Sequence, residues 1–137
     1  MDLGLKGKVA VIMGGTSGVG LKTAEMFLAE GAKVAICGRS TERMDSAQSQ
    51  LLSFGTKDDI FASTCDVTSK SDVDSFINGT AEKFGGIDIL VNAAGQSVMG
   101  YFFDITDEQW DEQIQLKFVA IIYAVRATHP HLVKRGG

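Results

Sequence analysis

The sequence is poor in cysteine and proline, and it has no long apolar run. Its two cysteines, Cys37 and Cys65, are too few for a disulfide framework, so we expect two buried thiols. The longest strictly apolar run, Phe118 to Val125, has eight residues and is too short to cross a membrane. No basic stretch leads into an apolar core at the N-terminus, so no secretory signal is recognisable. These absences predict a cytoplasmic protein without a membrane partner.

The chain also lacks an excess of basic residues. Thirteen lysines and arginines stand against seventeen aspartates and glutamates, which gives a net charge of −4 at pH 7. A nucleic-acid-binding protein normally shows a basic face, so we expect no nucleic-acid partner. Apolar residues make up 45% of the chain, which is enough for a folded core. The length predicts a single domain over residues 1–137.

Metal-binding side chains are scarce as well. The two histidines, His129 and His131, flank the single proline and do not share one face of a helix. We therefore expect no metal site.

Glycine is abundant, with sixteen copies, and glycines separate strand-like from helix-like segments. The predicted strands are 8–13, 34–37, 60–65 and 87–91, and the predicted helices are 19–30, 41–54, 69–84 and 106–134. This alternation is typical of right-handed crossovers between parallel strands. The predicted fold class is α/β, a Rossmann-type doubly wound parallel sheet of four strands with helices on both faces.

The predicted helix over 106–134 is apolar nearly all round. A helix that is apolar on both sides is normally buried on both sides, so one side needs the sheet and the other needs a second helix or a second chain. We therefore expect a homo-oligomer, joined through this helix or through an exposed edge at strand four.

The first predicted strand runs directly into a glycine-rich turn, Gly14 to Gly20, and a helix follows. Backbone N–H groups at the start of a helix, together with the helix dipole, favour an anion such as a phosphate. Glycines let the turn close tightly and let a ligand approach the backbone. A tight turn without a ligand is the alternative.

Two common phosphate-binding motifs do not fit this turn. The pattern G-x-G-x-x-G requires a glycine where Thr23 stands. The P-loop requires a lysine directly after Gly20, where Leu21 stands. Lys22 comes one residue later, so its side chain points about 100° away on the helix. A nucleoside triphosphatase is therefore disfavoured.

Three short motifs follow predicted strands one, three and four. Gly14, Gly18 and Gly20 form the pattern G-x-x-x-G-x-G, Asp66-Val67 follows the third strand, and Asn92-Ala93-Ala94-Gly95 follows the fourth. Together they resemble the glycine motif, the adenine-contacting Asp-Val element and the Asn-x-Ala-Gly motif of the short-chain dehydrogenase/reductase family. The resemblance covers the whole chain and implies a dinucleotide bound across the carboxyl ends of the strands.

The resemblance also implies which residues hold the cofactor. The glycine turn would hold the pyrophosphate, Asp66 would accept a hydrogen bond from the adenine amino group, and the segment after strand four would form the floor of the site. The residues implied are Gly14, Thr16, Ser17, Gly18, Val19, Gly20, Asp66, Val67, Asn92, Ala93, Ala94 and Gly95. The alternative is that the two later motifs are ordinary strand-to-helix turns.

The end of the second predicted strand bears on the choice of cofactor. NAD sites usually place an acidic residue there to bind the ribose 2′-hydroxyl, but residues 36–41 contain none. Arg39 instead offers a planar cationic fork for a phosphate, and Ser40 adds a hydroxyl at the start of a helix. We predict that NADP(H) is preferred, with NAD(H) as the alternative cofactor and a solvated surface arginine as the alternative interpretation of Arg39.

The catalytic residues that the resemblance implies are largely missing. The family uses a serine and a Tyr-x-x-x-Lys pair, whereas Tyr101 is followed by Ile105 and Tyr123 by Ala127. The family's catalytic asparagine corresponds to Lys117, which makes this lysine a candidate to hold a water or to supply its own amine. A lysine that simply reaches solvent is the alternative.

These observations imply an oxidoreductase that transfers hydride between NADP(H) and a small carbonyl or alcohol substrate. The chain would be the cofactor-binding half of that enzyme and inactive alone. The segment 96–103 would line one wall of the active site. An NADP(H)-binding sensor or partner module without catalysis is the alternative.

Overall fold

The computed structural model describes all residues from Met1 to Gly137. Its sheet contains β1 (Val9–Met13), β2 (Lys33–Gly38), β3 (Ile60–Thr64) and β4 (Ile89–Asn92). The strands pair in parallel in the order β3-β2-β1-β4, so β4 lies at one edge. β1 is buried along its whole length, as expected of a central strand with helices on both of its faces. The predicted Rossmann-type sheet is confirmed.

Helices cover both faces of this sheet, as predicted. They are α1 (Gly18–Ala29), α2 (Thr41–Leu51), α3 (Lys70–Phe84), α4 (Asp107–Ile114) and α5 (Ala120–Arg135). The apolar faces of α1 and α2 pack on one side of the sheet, and those of α3 and α5 on the other. None of the helices has both the length and the apolar composition needed to cross a lipid bilayer.

The predicted helix over 106–134 is present, but it contains an unpredicted π turn. α4 continues through a π-helical turn, Gln115–Val119, directly into α5. The start was predicted correctly, because Thr106 and Gln109 form a reciprocal capping box at the first turn of α4.

Only one side of this long helix is buried. Ala120, Ala124 and Thr128 face the core. Four large apolar residues on the opposite side are between 40% and 67% exposed; we call them the outer face, and they are Ile114, Phe118, Ile121 and Val125. The expectation of burial on both sides is therefore wrong within one chain, because no second element of the chain reaches the outer face.

A buried carboxylate fastens the amino ends of β1 and β4 to the end of α5. Asp88 is 7% exposed and accepts a hydrogen bond of 2.9 Å from the Val9 backbone N–H. Arg135 donates two further bonds to it, at 3.2 and 3.3 Å. Burial alone would raise the pKa of Asp88, but the bonds from Arg135 and Val9 outweigh it and leave that pKa below its usual value.

Asp88 also explains why β4 begins later than predicted. Its side chain, rather than a β4 backbone group, satisfies the Val9 N–H. Ile87 is fully buried, which is why its apolar character suggested a strand residue. The regular ladder of β4 starts only at Ile89, opposite Ala10.

Candidate functional site

A cleft of about 650 Å³ lies over the carboxyl ends of the strands. Its size is within the range of small-molecule and cofactor pockets. It extends from the residues after β3, past the ends of β2 and β1, to the residues after β4. The lining residues are Gly14, Thr16, Ser17, Gly18, Val19, Gly38, Arg39, Ser40, Arg43, Cys65, Val67, Ala93, Ala94, Gly95, Gln96 and Leu116.

The N-terminus of α1 faces this cleft with its backbone donors free. Ser17 occupies the N-cap position, but its side chain makes no capping hydrogen bond, and the first turn contains no acidic residue. The first N–H groups of a helix have no partner within the helix. Because Ser17, Gly18 and Val19 all line the cleft, these donors and the positive end of the helix dipole are available to an anion there.

The glycine turn is packed tightly against the segment that follows β4. Gly14 has a φ of +83°, and a Cβ on it would lie 2.5 Å from the Cα of Ala94. A Cβ on Gly20 would collide with the carbonyl oxygen of Gly14. Gly20 is therefore buried beneath the turn and does not line the cleft, whereas Gly14 and Gly18 do.

Two arginines form the β2 end of the cleft. Arg39 directly follows β2, and Arg43 lies in the first turn of α2. The Ser40 hydroxyl caps α2 by accepting a hydrogen bond of 3.3 Å from the Arg43 backbone N–H. Neither arginine forms an ion pair, and no aspartate or glutamate lines the cleft. This end of the cleft therefore carries two arginines that are not in ion pairs, and no carboxylate lines it.

Asp66 lies beside the cleft rather than in its lining. Its Oδ1 accepts hydrogen bonds from the backbone N–H and the hydroxyl of Thr68, at 2.9 and 2.7 Å. These bonds keep the pKa of Asp66 below its usual value, and the charge of Arg39 acts in the same direction. The carboxylate is thus fixed in its turn with its second oxygen free of these bonds. The predicted contact with adenine stays a prediction.

Cys65 contributes an uncharged part of the floor between Arg39 and Val67. Both cysteines are buried and neither is in a disulfide, as the sequence predicted. Hydrogen bonding with Cys37 and burial raise the pKa of Cys65, so this thiol stays protonated. A neutral floor leaves the arginines as the only charged groups in the lining.

The β4 end of the cleft is formed by Gly95, Gln96 and Leu116. Lys117 does not line the cleft, but its Nζ donates a 3.3 Å hydrogen bond to the hydroxyl of Ser97. Of the predicted wall 96–103, only Gln96 lines the cleft. Tyr101 is 84% exposed, and the wall stays a prediction for the rest of this segment.

Most of the predicted binding residues meet in this one cleft. Those outside its lining are Gly20, Asp66, Asn92 and Lys117. Arg43 was missed, although its position four residues after Arg39 in a predicted helix start was a usable signal. Leu116 and Cys65 were missed because apolar residues in a core segment give no sign that they border a ligand.

Comparison with known proteins identifies relatives of this chain. A family model described as short chain dehydrogenase matches residues 8–137. An uncharacterised oxidoreductase of Staphylococcus aureus is 34% identical over 131 residues, covering 96% of this chain and 55% of the relative. The chain thus spans about half the length of the curated relatives it matches.

Two solved structures are similar throughout the fold. One is an NADPH-bound short chain oxidoreductase of Pseudomonas aeruginosa, described as containing an atypical catalytic center. It is 45% identical with a TM-score of 0.85, over 91% of this chain and 49% of that one. The other is the L-sorbose reductase of Gluconobacter frateurii in complex with NADPH and L-sorbose. It is 36% identical with a TM-score of 0.91, over 100% of this chain and 52% of that one.

Proposed function

We propose that this chain, which belongs to the short-chain dehydrogenase family, binds NADP(H) for an oxidoreductase that moves hydride to or from a small carbonyl or alcohol substrate. The observation that carries the proposal is the pair Arg39 and Arg43 beside the uncapped start of α1, in a cleft whose lining contains no carboxylate. Two similar proteins were solved with NADPH, which supports the same cofactor here.

The residues present fit a dinucleotide with a 2′-phosphate. The free N–H groups at the start of α1 would hold the pyrophosphate, and Gly14 leaves the close backbone approach that such a ligand needs. Arg39 and Arg43 would bind the 2′-phosphate, where an acidic residue would repel it. When bound, the cofactor supplies the hydride. The chain's own residues bind and orient it.

The remaining predicted residues take supporting roles in this proposal. Thr16, Ser17, Gly18 and Val19 line the pyrophosphate region, and Ser40 lines the 2′-phosphate region. Val67 and the neighbouring Asp66 would border the adenine region, and Ala93, Ala94 and Gly95, which follow Asn92, would form the floor.

Binding without turnover is the expected behaviour of this chain alone. Neither Tyr101 nor Tyr123 has a lysine four residues later, so the tyrosine–lysine pair of the family is missing here. The alternative function, an NADP(H)-binding sensor or partner module without catalysis, also predicts binding without turnover. Mixing the chain with NADPH and a panel of carbonyl compounds tests this, because turnover would refute the expectation of an inactive chain.

Fluorescence titrations of NADPH and NADH test the proposed cofactor. Arg39→Ala and Arg43→Ala each remove a charged hydrogen-bond donor, so each should weaken NADPH binding by about tenfold or more while leaving NADH binding nearly unchanged. Arg126→Ala is the matched control, because Arg126 is exposed on α5 and away from the cleft lining. Equal losses for the two cofactors, or no NADPH binding by the unchanged chain, would refute the proposal.

The outer face also supports self-association of the chain. Acidic residues occur on this long helix only as far as Glu112, and no acidic residue is present from Gln113 to Gly137. Two antiparallel copies of the helix would therefore place an acidic end beside a basic end while covering the exposed apolar residues between them. The partner in this proposal is a second copy of the chain.

A further inference from the structure

Lys117 is a cation that the protein leaves without an opposite charge. It belongs to none of the four salt bridges in the structure. One helical turn away on either side stand Gln113, Ile114, Ala120 and Ile121, none of which is acidic. Its one hydrogen-bond partner is the neutral hydroxyl of Ser97, at 3.3 Å.

This ammonium group lies next to the β4 end of the cleft. Lys117 follows Leu116 in the chain, and Ser97 follows Gln96, and both preceding residues line the cleft. The bond between Lys117 and Ser97 therefore joins the long helix to the segment after β4 at the rim of that end.

The local helix geometry is unusual at the same place. Lys117 is the central residue of the π turn Gln115–Val119. Single π turns within α-helices occur frequently at functional sites. One turn earlier, the side-chain oxygen of Gln113 is the one buried side-chain polar atom without a hydrogen-bond partner. A cation without an ion-pair partner and a buried acceptor without a hydrogen-bond partner thus lie one turn apart on one helix.

The layout of the cleft indicates which ligand group would reach Lys117. A dinucleotide whose phosphate-bearing ribose lies at Arg39, beyond β2, extends across β1 toward β4. Its reactive end, and the substrate that meets it, then lie on the side of Gln96 and Lys117. In the proposed function the arginines and the start of α1 bind the phosphates of the cofactor. No phosphate of the cofactor is then left to bind the ammonium group of Lys117.

We infer that Lys117, held by Ser97, recognises an anionic group of the substrate, so that the oxidoreductase acts on carbonyl or alcohol compounds that carry a carboxylate or a phosphate. This inference rests on the proposed function, because it places the substrate opposite the arginine end of the bound cofactor. Lys117 is a specificity-determining residue in this scheme, and Ser97 is a positioning residue that aims its ammonium group.

The test uses the 137-residue chain saturated with NADPH. Acetate, inorganic phosphate and the neutral isostere acetamide are titrated at constant ionic strength, and the backbone amide NMR signals of Ser97 and Lys117 are followed. Acetate and phosphate arms separate the two anion types. Signals of Arg39 and Arg43 report any anion that binds at the other end instead.

We expect at least one of the two anions, but not acetamide, to shift the signals of Ser97 and Lys117. Lys117→Gln should weaken that anion binding by about tenfold. Ser97→Ala keeps the ammonium group and should weaken it by about threefold. Lys134→Gln is the matched control, because Lys134 is also exposed and unpaired on the same long helix.

Three results would overturn the inference. Acetamide could shift the signals as strongly as the anions do, anion binding could survive Lys117→Gln unchanged, or neither anion could bind near Ser97. Any of these three results, obtained while NADPH binds normally, would refute the inference about Lys117 without contradicting the proposed function. Absence of NADPH binding would instead refute the proposed function and this inference with it. A thermal melt of Lys117→Gln shows whether the variant is folded, and Ser97→Ala gives an independent test.

Discussion

Replacing Asp88 by asparagine should destabilise the chain strongly, because the change keeps the shape of the side chain and removes its charge. In the structure the carboxylate accepts one bond from Val9 and two from Arg135, at 2.9, 3.2 and 3.3 Å. An asparagine has only one acceptor oxygen, so its NH₂ group must face one of these donors.

The size of the effect follows from the number and burial of these bonds. Hydrogen bonds to a charged group contribute about 1.5–3 kcal/mol, and the Arg135 side chain is 37% exposed, which screens its share. We therefore expect Asp88→Asn to lower the free energy of unfolding by about 3 kcal/mol. With about 2.1 cal/mol/K of unfolding entropy per residue, that loss corresponds to a fall in Tm of about 10 °C for a chain of this length.

The effect should also depend on pH in a definite direction. The pKa of Asp88 in the folded chain lies below its usual value, so its ionised form stabilises the fold. This stabilisation is fully present above the pKa of the unfolded state, about 3.9, and is lost as the pH falls through the lower folded-state pKa. The difference in the free energy of unfolding between the original chain and Asp88→Asn should therefore be constant from about pH 5 to about pH 7. It should shrink below about pH 4.

Urea unfolding at pH 7, 5 and 3.5 measures this difference. Asp74→Asn is the control, because Asp74 is an exposed carboxylate paired with Lys70 along α3 and should change stability by less than about 0.5 kcal/mol. The reasoning is refuted if Asp88→Asn costs no more than Asp74→Asn, or if the difference grows as the pH falls.

Three further outcomes are expected. Phe118→Glu should lower the mass measured by light scattering at high concentration, because it puts a charge in the outer face. Val133→Glu, which changes an exposed apolar residue outside the outer face, should not lower it. Equal masses for the two variants would count against the self-association surface. Gly14→Ala should abolish NADPH binding and lower the Tm more than Gly4→Ala does. Both glycines have positive φ, but only Gly14 lacks space for a Cβ. Equal shifts in Tm would show that the contact with Ala94 is unimportant. NADPH affinity should fall more steeply with salt than NADH affinity, because the 2′-phosphate adds charge beside Arg39; parallel salt dependences would argue against that contact.

The sequence was sufficient to predict the fold where local signals act alone. Helices α1 and α3 are followed within two residues by Gly31 and Gly85, whose φ values are +79° and +80°, a conformation that glycine adopts at little cost. The strands are short, largely apolar runs that alternate with helices along the chain, so their positions and their parallel type could be predicted without tertiary information.

The features that were missed depend on contacts between distant segments. The start of β4 depends on Asp88 and Val9, which are far apart in sequence. Arg43 lines the cleft together with Gly14 and Thr16, which follow β1, and the sequence search that stopped at the end of β2 did not include it. The π turn at Gln115–Val119 leaves no mark in the apolar spacing, since residues on both sides of it remain apolar.

The charge of the cleft shows why composition alone is a poor guide to ligands here. The chain carries a net charge of −4, yet its cleft is lined by two arginines and no carboxylate, with Lys117 beside the far rim. Asp66 lies beside the cleft and interacts with the charge of Arg39, but no carboxylate lines it, and other acidic residues lie farther off, for example at the start of α4. A concave site lined by one sign of charge concentrates ligands of the opposite sign, whatever the net charge of the protein. The arrangement of these three cations therefore favours a ligand that is anionic at both ends, which is what a phosphorylated dinucleotide meeting an anionic substrate would present.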